Sequence, residues 1–365
     1  MIILNVKLDN IYGFNDFEIN FTYPKKVVNS IIDDEYLEGR ERFRYKKAVV
    51  LMGSNATGKT SLGKALLRII SFINNGNYSL LYEMLSDDTG SMEIDFVNEG
   101  FVLHRLKAFI SKKDENVELH YYYTDIDKMD SYEKCVEKLK DKSEEAFSSP
   151  KALRMLTGYI NCRFAYPEIV NSLRYDSIDL DIFLKTLKCV LGTLDPTLKD
   201  IEFSKDLTDT IIIRRKNSEI IIQDGKLLNR DVLSSGTIEG IDVAIFLASM
   251  ASKDKTFYYC DEHFSYIQSD IEKRIFGLML DRIENNEQLI FTTHNTDMLD
   301  LNLPKHSYVF LRKKLEDGEY KVSAVSASDI LKRNTDSVRC ALENDIFGSL
   351  PDDSLLDELE KEEYR

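Results

Sequence analysis

Nine consecutive residues, Gly53-Ser54-Asn55-Ala56-Thr57-Gly58-Lys59-Thr60-Ser61, carry the spacing G-x-x-x-x-G-K-[ST]. Glycines at both ends of such a loop let successive backbone N–H groups wrap around a phosphate, and a helix opening on the loop adds its positive dipole end. Lys59 is placed to reach β- and γ-phosphate oxygens, and the Thr60 hydroxyl to ligate magnesium. The ligand this chemistry points to is a nucleoside triphosphate, ATP with Mg²⁺. A second candidate is Phe257-Tyr258-Tyr259-Cys260-Asp261-Glu262, an apolar run ending in two adjacent carboxylates. Neighbouring side chains at a strand end point in opposite directions, so their roles should differ. Asp261 is positioned to hold magnesium, directly or through water, and Glu262 to polarise a water attacking the γ-phosphate. An apolar strand ending in Asp-Glu is common by itself; the preceding phosphate loop is what makes this one meaningful.

Two weaker signals follow. Leu233-Ser234-Ser235-Gly236-Thr237 is a short polar loop leading into a helix over about Ile241–Met250, which on its own reads as a helix cap. Thr292-Thr293-His294-Asn295 puts a histidine at the end of a second buried strand, usually a structural arrangement.

The elements that must position these residues are legible in outline. Ala48–Met52 is a short, continuous apolar run, as expected of a strand buried on both faces, and Leu62, Leu66, Leu67, Ile70 and Phe72 give the helix after the loop. Ile2–Leu8 and Phe17–Phe21 read as a hairpin turning at Tyr12-Gly13-Phe14-Asn15-Asp16, and the polar stretch Pro24–Lys47 as a loop with at most one short helix. Three β-rich segments between Ser91 and Asp125 predict an antiparallel sheet. The period turns helical from Ser131 to Leu198, with breaks near Pro150, Pro167 and Pro196. Strands return in TIIIRR and EIIIQDG, then in Thr256–Cys260 and Gln288–Thr293, joined by a helix over Ser269–Glu284 as a βαβ unit; VFLRKK and YKVSAV close the fold, and an acidic amphipathic tail ends it.

With 43% hydrophobic and 30% charged residues in 365, the chain can bury a sizeable core. Its net charge of −15 gives no general attraction to nucleic acid, so a DNA contact would need a local basic patch such as Arg214-Arg215-Lys216 or Arg312-Lys313-Lys314. No long apolar run suggests a membrane partner, and the expected location is cytoplasmic. Cys135, Cys162, Cys189, Cys260 and Cys340 lack metal or disulfide spacing, and most are expected to be reduced, packed thiols; His104, His120, His263 and His306 read as surface or packing histidines.

In the order GSNATGKTS, LSSGT, DEHFSYIQ, FTTHNTDML, these fingerprints resemble the heads of ABC-type ATPases, and more narrowly the RecF/SMC-like proteins of the AAA15/AAA21 group found in prokaryotic anti-phage and abortive-infection systems, including the ATPase subunits of PARIS and Septu. The resemblance takes in the NIYGFNDFEINF hairpin and the YVFLRKK…DGEYKVSAVSASD segment. It implies an α/β ABC-ATPase head: a mixed P-loop sheet core with an antiparallel β subdomain and a helical insert. The implied division is an N-terminal lobe over 1–130, the insert over 131–200, a C-terminal lobe over 201–345 and an acidic tail over 346–365. It further implies a composite site, with two heads pairing head to tail or in a higher homo-oligomer so that Ser234, Ser235 and Gly236 of one cover ATP on the other. His294 becomes a switch histidine at the γ-phosphate and Ser265-Tyr266-Ile267 a loop facing the partner head. Ser235 and Thr237 depart from the transporter signature, though SSGT is usual in the narrower group. No glutamine occurs between Ser61 and Ile222, so the glutamine loop that positions magnesium and water has no counterpart; another residue does that job or hydrolysis is slow. The function implied is a slow, gated ATPase that regulates a separate effector, a nuclease or toxin. A RecF-like DNA clamp is the alternative, and a transporter subunit is disfavoured.

Overall fold

The computed structural model describes residues 1–26, 30–149, 151–166, 178–198, 200–204, 206–207, 209–215, 218–228, 233–252, 257–316, 318–333 and 335–351. Pro150, Pro167, Lys216, Thr256 and the acidic tail from 352 onward, all invoked above, lie outside them.

In chain order the elements begin with β1 (Ile2–Asp9), β2 (Phe17–Asn20), β3 (Tyr36–Leu37), β4 (Arg40–Arg44), β5 (Ala48–Met52), α1 (Lys59–Asn75), α2 (Ser79–Tyr82), β6 (Thr89–Val97), β7 (Val102–Ser111) and β8 (Asn116–Asp125). Then come α3 (Tyr132–Glu137), β9 (Lys140–Asp141), α4 (Ser143–Ala146), α5 (Ala152–Thr157), β10 (Cys162–Ala165) and α6 (Leu180–Leu194). The remainder is β11 (Asp200–Phe203), β12 (Thr210–Arg214), β13 (Glu219–Gln223), β14 (Lys226–Leu227), α7 (Ser235–Ala251), β15 (Phe257–Asp261), α8 (Ser269–Leu280), β16 (Gln288–Thr292), β17 (Tyr308–Glu316), β18 (Glu319–Ser326), α9 (Ala327–Ile330) and α10 (Val338–Glu343).

The central sheet runs β10-β15-β16-β5-β17-β18, parallel throughout except for β18 at one edge. Its inner strands β15, β16 and β5 are buried on both faces because their alternate residues feed two cores. Val49 and Leu51 join Tyr259 and Ile290 on the side packed by Leu62, Leu66 and Ile69 of α1. Val50 and Met52 join Tyr258 and Phe291 on the side covered by α6, α7 and α8. The antiparallel sheet β2-β1-β6-β7-β8-β9 is the expected β subdomain. Gln288 ties it to the central sheet: its Oε1 accepts from the Ile3 N–H at 2.8 Å, and its Nε2 donates to the carbonyls of Ile3 at 3.1 Å and Lys46 at 3.0 Å. A separate sheet, β11-β12-β13-β14, holds the two isoleucine-rich strands.

Several expectations change. The polar stretch before β5 contains the hairpin β3-β4, because Phe43 and Tyr45 alternate inward among charged neighbours that mask the period. The stretch from Ser131 is not wholly helical: β10 leaves it to become the edge strand of the central sheet beside β15. Helix α7 starts at Ser235 rather than near Ile241, so the polar loop is its first turn, with Ser234 as N-cap. Helix α8 ends at Leu280. The cysteines are free, but Cys189 and Cys340 are exposed rather than packed. The basic clusters are partly neutralised, Arg214 by Glu202 at 2.6 Å and Glu219 at 3.1 Å, and Arg215 by Asp195. Of the histidines, His263 faces Asp242 and His306 faces Glu35, both buried. Among the described residues no helix is long and apolar enough to cross a membrane.

Candidate functional site

Strand β5 delivers the chain into the loop 53–58 and α1 leaves it, so the first turn of α1 presents its free N–H groups to the concave side. Two glycines are required by space as well as by conformation. A Cβ at Gly53 would stand 2.5 Å from the Leu311 carbonyl oxygen and 2.7 Å from Thr57 Oγ1. At Gly58, where φ is +97°, it would stand 2.8 Å from the Phe14 ring. Ala56 also adopts a left-handed φ of +62° at the exposed crest beside Asn55. Thr57 closes the loop by donating its hydroxyl to the Ser54 carbonyl at 2.8 Å, and Ser61 lies half-buried in the first turn of α1.

Lys59, buried to 3% exposure, turns back into this loop and donates to the carbonyls of Gly53 at 2.8 Å and Ser54 at 3.1 Å. Its third partner is Glu262, with Nζ 3.2 Å from Oε1. Burial lowers the Lys59 pKa, and the Glu262 charge works against that shift.

Parallel pairing in the order β15-β16-β5 carries the other half of the site to the same sheet end. Thr60 donates its hydroxyl to Asp261 Oδ2 at 2.6 Å, and Thr292, at the end of β16, donates to Asp261 Oδ1 at 2.8 Å. Burial raises the Asp261 pKa, and the two hydroxyl bonds oppose the rise. Glu262 leaves β15 with φ of +45°, a left-handed conformation unusual for a non-glycine residue. It is held there by its N–H, which donates to Thr292 Oγ1 at 3.0 Å and to the Thr292 carbonyl at 3.2 Å. The turn aims Glu262 away from Asp261, and His294 Nε2 meets its Oε1 at 2.8 Å. Burial alone would push the Glu262 carboxyl up; the His294 hydrogen bond and the Lys59 charge outweigh it, and the net shift is down.

Beside Glu262 and His294 opens a cavity of about 310 Å³, also lined by Ser265, Ser269, Glu272 and Asn295. Glu272 is buried and accepts from Thr293 Oγ1 at 2.7 Å and Asn295 Nδ2 at 2.6 Å; burial raises its pKa against those two bonds. These contacts fix the strand end that bears His294.

Lys59, Thr60, Asp261, Glu262 and His294 therefore converge within one chain. Ser234, Ser235 and Gly236 do not join them. Ser234 Oγ accepts from the Thr237 N–H at 3.2 Å and shares a hydrogen bond with its hydroxyl at 2.7 Å, while Gly236 packs on the Tyr266 backbone, whose carbonyl oxygen a Cβ would meet at 2.8 Å. Glu239, one turn further along α7, accepts from the Tyr266 N–H at 3.1 Å. The loop after β15 is thus pinned to the start of α7, with the Tyr266 side chain left 70% exposed.

The roles of Thr292 and Phe14 were missed from sequence. Thr292 stands out in hindsight as a polar residue closing an otherwise apolar buried strand; Phe14 carried no signal beyond its turn.

The donor set suits a hydrated magnesium ion. The Thr60 hydroxyl and the Asp261 carboxylate are hard oxygen ligands already in contact, at the mouth of a backbone cradle whose glycines leave no room for side chains.

No protein-family model matches this chain, and no curated protein matches it. Among solved structures, an Smc head bound to the C-terminal winged-helix domain of ScpA is similar over 91% of this chain and 100% of that one, with a TM-score of 0.55 at 12% identity. An Smc head domain with an extended coiled coil, bound to the C-terminal domain of ScpA and derived from Pyrococcus furiosus, is similar over 91% and 98%, with a TM-score of 0.51 at 14% identity. The fold is that of an ABC-ATPase head.

Proposed function

We propose that this chain binds and hydrolyses ATP with Mg²⁺. The observation that carries the reading is the convergence of Lys59, Thr60, Asp261, Glu262 and His294 on the 53–58 loop, from segments some two hundred positions apart. Thr60 and Asp261 would hold magnesium, which when bound neutralises charge on the phosphate oxygens. The N–H groups of Ser54 to Ser61 would line the phosphates. Lys59 would exchange its contacts with the Gly53 and Ser54 carbonyls for phosphate oxygen.

That exchange has a consequence for Glu262. Its low proton affinity rests partly on Lys59, so it is a weak base while Lys59 faces it. Diverting Lys59 to a phosphate oxygen would take away one of the contacts that lower the Glu262 pKa, while the His294 hydrogen bond, the leading cause of that lowering, would stay in place. His294 would hold the carboxylate in place. Glu262 would then polarise the attacking water, in a slow, gated ATPase.

Ser234 caps and Ser235 and Gly236 open a helix of 17 residues, and their contacts are with Thr237 and Tyr266, which supports their covering ATP on a second copy in a head-to-tail dimer. The finer reading, resting on the motif order, is a cytoplasmic sensor subunit of a prokaryotic anti-phage system that holds or releases a separate nuclease or toxin. The test is the mass of purified Glu262→Gln protein by light scattering with and without Mg-ATP, with a short DNA duplex in a parallel run. ATP-dependent dimerisation without DNA uptake is expected. A monomer in every condition refutes the shared site, and growth only with DNA replaces the sensor with a RecF-like clamp.

A further inference from the structure

Level with Asp261 in the central sheet stands a tyrosine whose hydroxyl the site described so far does not use. Strand β10 runs parallel to β15 with Ala165 paired to Cys260, so the following residue, Tyr166, comes level with Asp261. Tyr166 is 6% exposed, its ring 5.9 Å from that of Phe164 and 6.3 Å from that of Tyr259. Its hydroxyl rests on the first turns of α1: a Cβ added at Gly63, three residues after Thr60, would stand 2.8 Å from the Tyr166 oxygen. The neighbouring Tyr259 hydroxyl donates to the Lys59 carbonyl at 2.5 Å. The Tyr166 hydroxyl is fully buried and has no hydrogen-bond partner among the described residues.

A buried hydroxyl without a partner is costly and uncommon, and it calls for a reason. The ring is fixed by aromatic packing and Gly63 leaves room for the oxygen, so its placement is imposed by the fold. Lys59 and Glu262 engage each other, and the register of β10 on β15 sets Tyr166 level with Asp261. Magnesium dehydrates reluctantly and keeps several waters when held by one or two protein oxygens. Thr60 and Asp261 are two such oxygens, and their waters need second-shell acceptors or donors.

We propose that the Tyr166 hydroxyl is a positioning group for the hydrated divalent cation, hydrogen-bonding a cation-bound water beside Asp261; this rests on the ATP-binding reading above.

The test is Tyr166→Phe, which keeps the ring and removes only the oxygen. A fluorescent ATP analogue is titrated in EDTA and in Mg²⁺, and the nucleotide-free protein is melted in parallel. The expected result is a magnesium-dependent gain in affinity reduced about 3- to 10-fold, the scale of one hydrogen bond, with metal-free affinity unchanged. The nucleotide-free variant should melt at the wild-type temperature or above, because it no longer buries an unpaired hydroxyl. An undiminished magnesium gain overturns the proposal, and so does an equal loss with and without metal. A variant melting several degrees lower also overturns it, since the hydroxyl would then have a structural partner. Wild-type protein that fails to bind the analogue at all overturns the ATP reading instead.

Discussion

Thr292→Val removes one hydroxyl that does two jobs. In the wild type that oxygen donates to Asp261 Oδ1 at 2.8 Å and accepts from the Glu262 N–H at 3.0 Å, in a position with no solvent exposure. Valine has nearly the same shape, so the change is one of hydrogen bonding rather than volume. A bond to a carboxylate contributes about 1.5–3 kcal/mol and a neutral one about 0.5–1.5. The second is partly retained, because the Thr292 carbonyl still accepts the Glu262 N–H at 3.2 Å. The expected loss is therefore about 2–4 kcal/mol of unfolding free energy at neutral pH, with Asp261 still bonded to Thr60 through Oδ2 at 2.6 Å. Urea unfolding of the wild type, Thr292→Val, Asp261→Asn and the double variant closes a thermodynamic cycle. Asparagine keeps the shape of Asp261 and loses its charge, so the cycle isolates the charge-assisted part, about 1–2 kcal/mol. Additivity within about 0.5 kcal/mol would refute the claim that Thr292 supports the ionised Asp261.

Lys59→Ala should abolish binding of a fluorescent ATP analogue; a dissociation constant within threefold of wild type would remove Lys59 from the site. Gly58→Ala combines a left-handed φ of +97° with a Cβ 2.8 Å from the Phe14 ring, and should cost about 1–3 kcal/mol in urea unfolding; Phe14→Leu in the same background should recover part of that loss. Glu272 has a folded pKa raised above the model-peptide value of 4.5, so between 4.5 and its raised folded value the folded state carries the extra proton. Stability from this group rises as pH falls through that window and is constant below it. Relative to Glu272→Gln, the wild type should therefore gain unfolding free energy as pH falls from 7 to 4.5, and a wild type that loses stability relative to the variant over that range would contradict the burial assigned to Glu272.

The strand, loop and helix around Lys59 were legible because local pattern and local chemistry agree there: a continuous apolar run, two glycines that space demands, and a 3.6-residue period. Asp261 and Glu262 were legible as carboxylates ending a buried strand in a chain that also has a phosphate loop, and His294 only through the order of the motifs. Strand β10 was not, since Cys162-Arg163-Phe164-Ala165 is short, sits at a sheet edge, and gains its place only by pairing with β15. The hairpin β3-β4 was hidden by arginines flanking Phe43. Helix α7 began earlier than expected because a serine cap and a first turn of Ser235, Gly236 and Thr237 have loop-like composition but helical backbone. The Glu262–Lys59 contact has no local signature at all; it exists because the sheet order brings β15 within reach of β5.

That sheet order also governs when the site comes into being during synthesis. Strand β5 emerges early, yet both of its neighbours, β16 and β17, come from the far end of the chain. Thr60 and Asp261 are 201 positions apart, which at 5–20 residues per second separates their emergence from the ribosome by roughly 10–40 s. Through that interval Val49, Val50 and Leu51 have no strand beside them, and Gln288 has yet to clasp Ile3. A nascent chain therefore spends most of its translation with its most apolar strand uncovered, and the site proposed to hold nucleotide is complete only in the nearly finished protein.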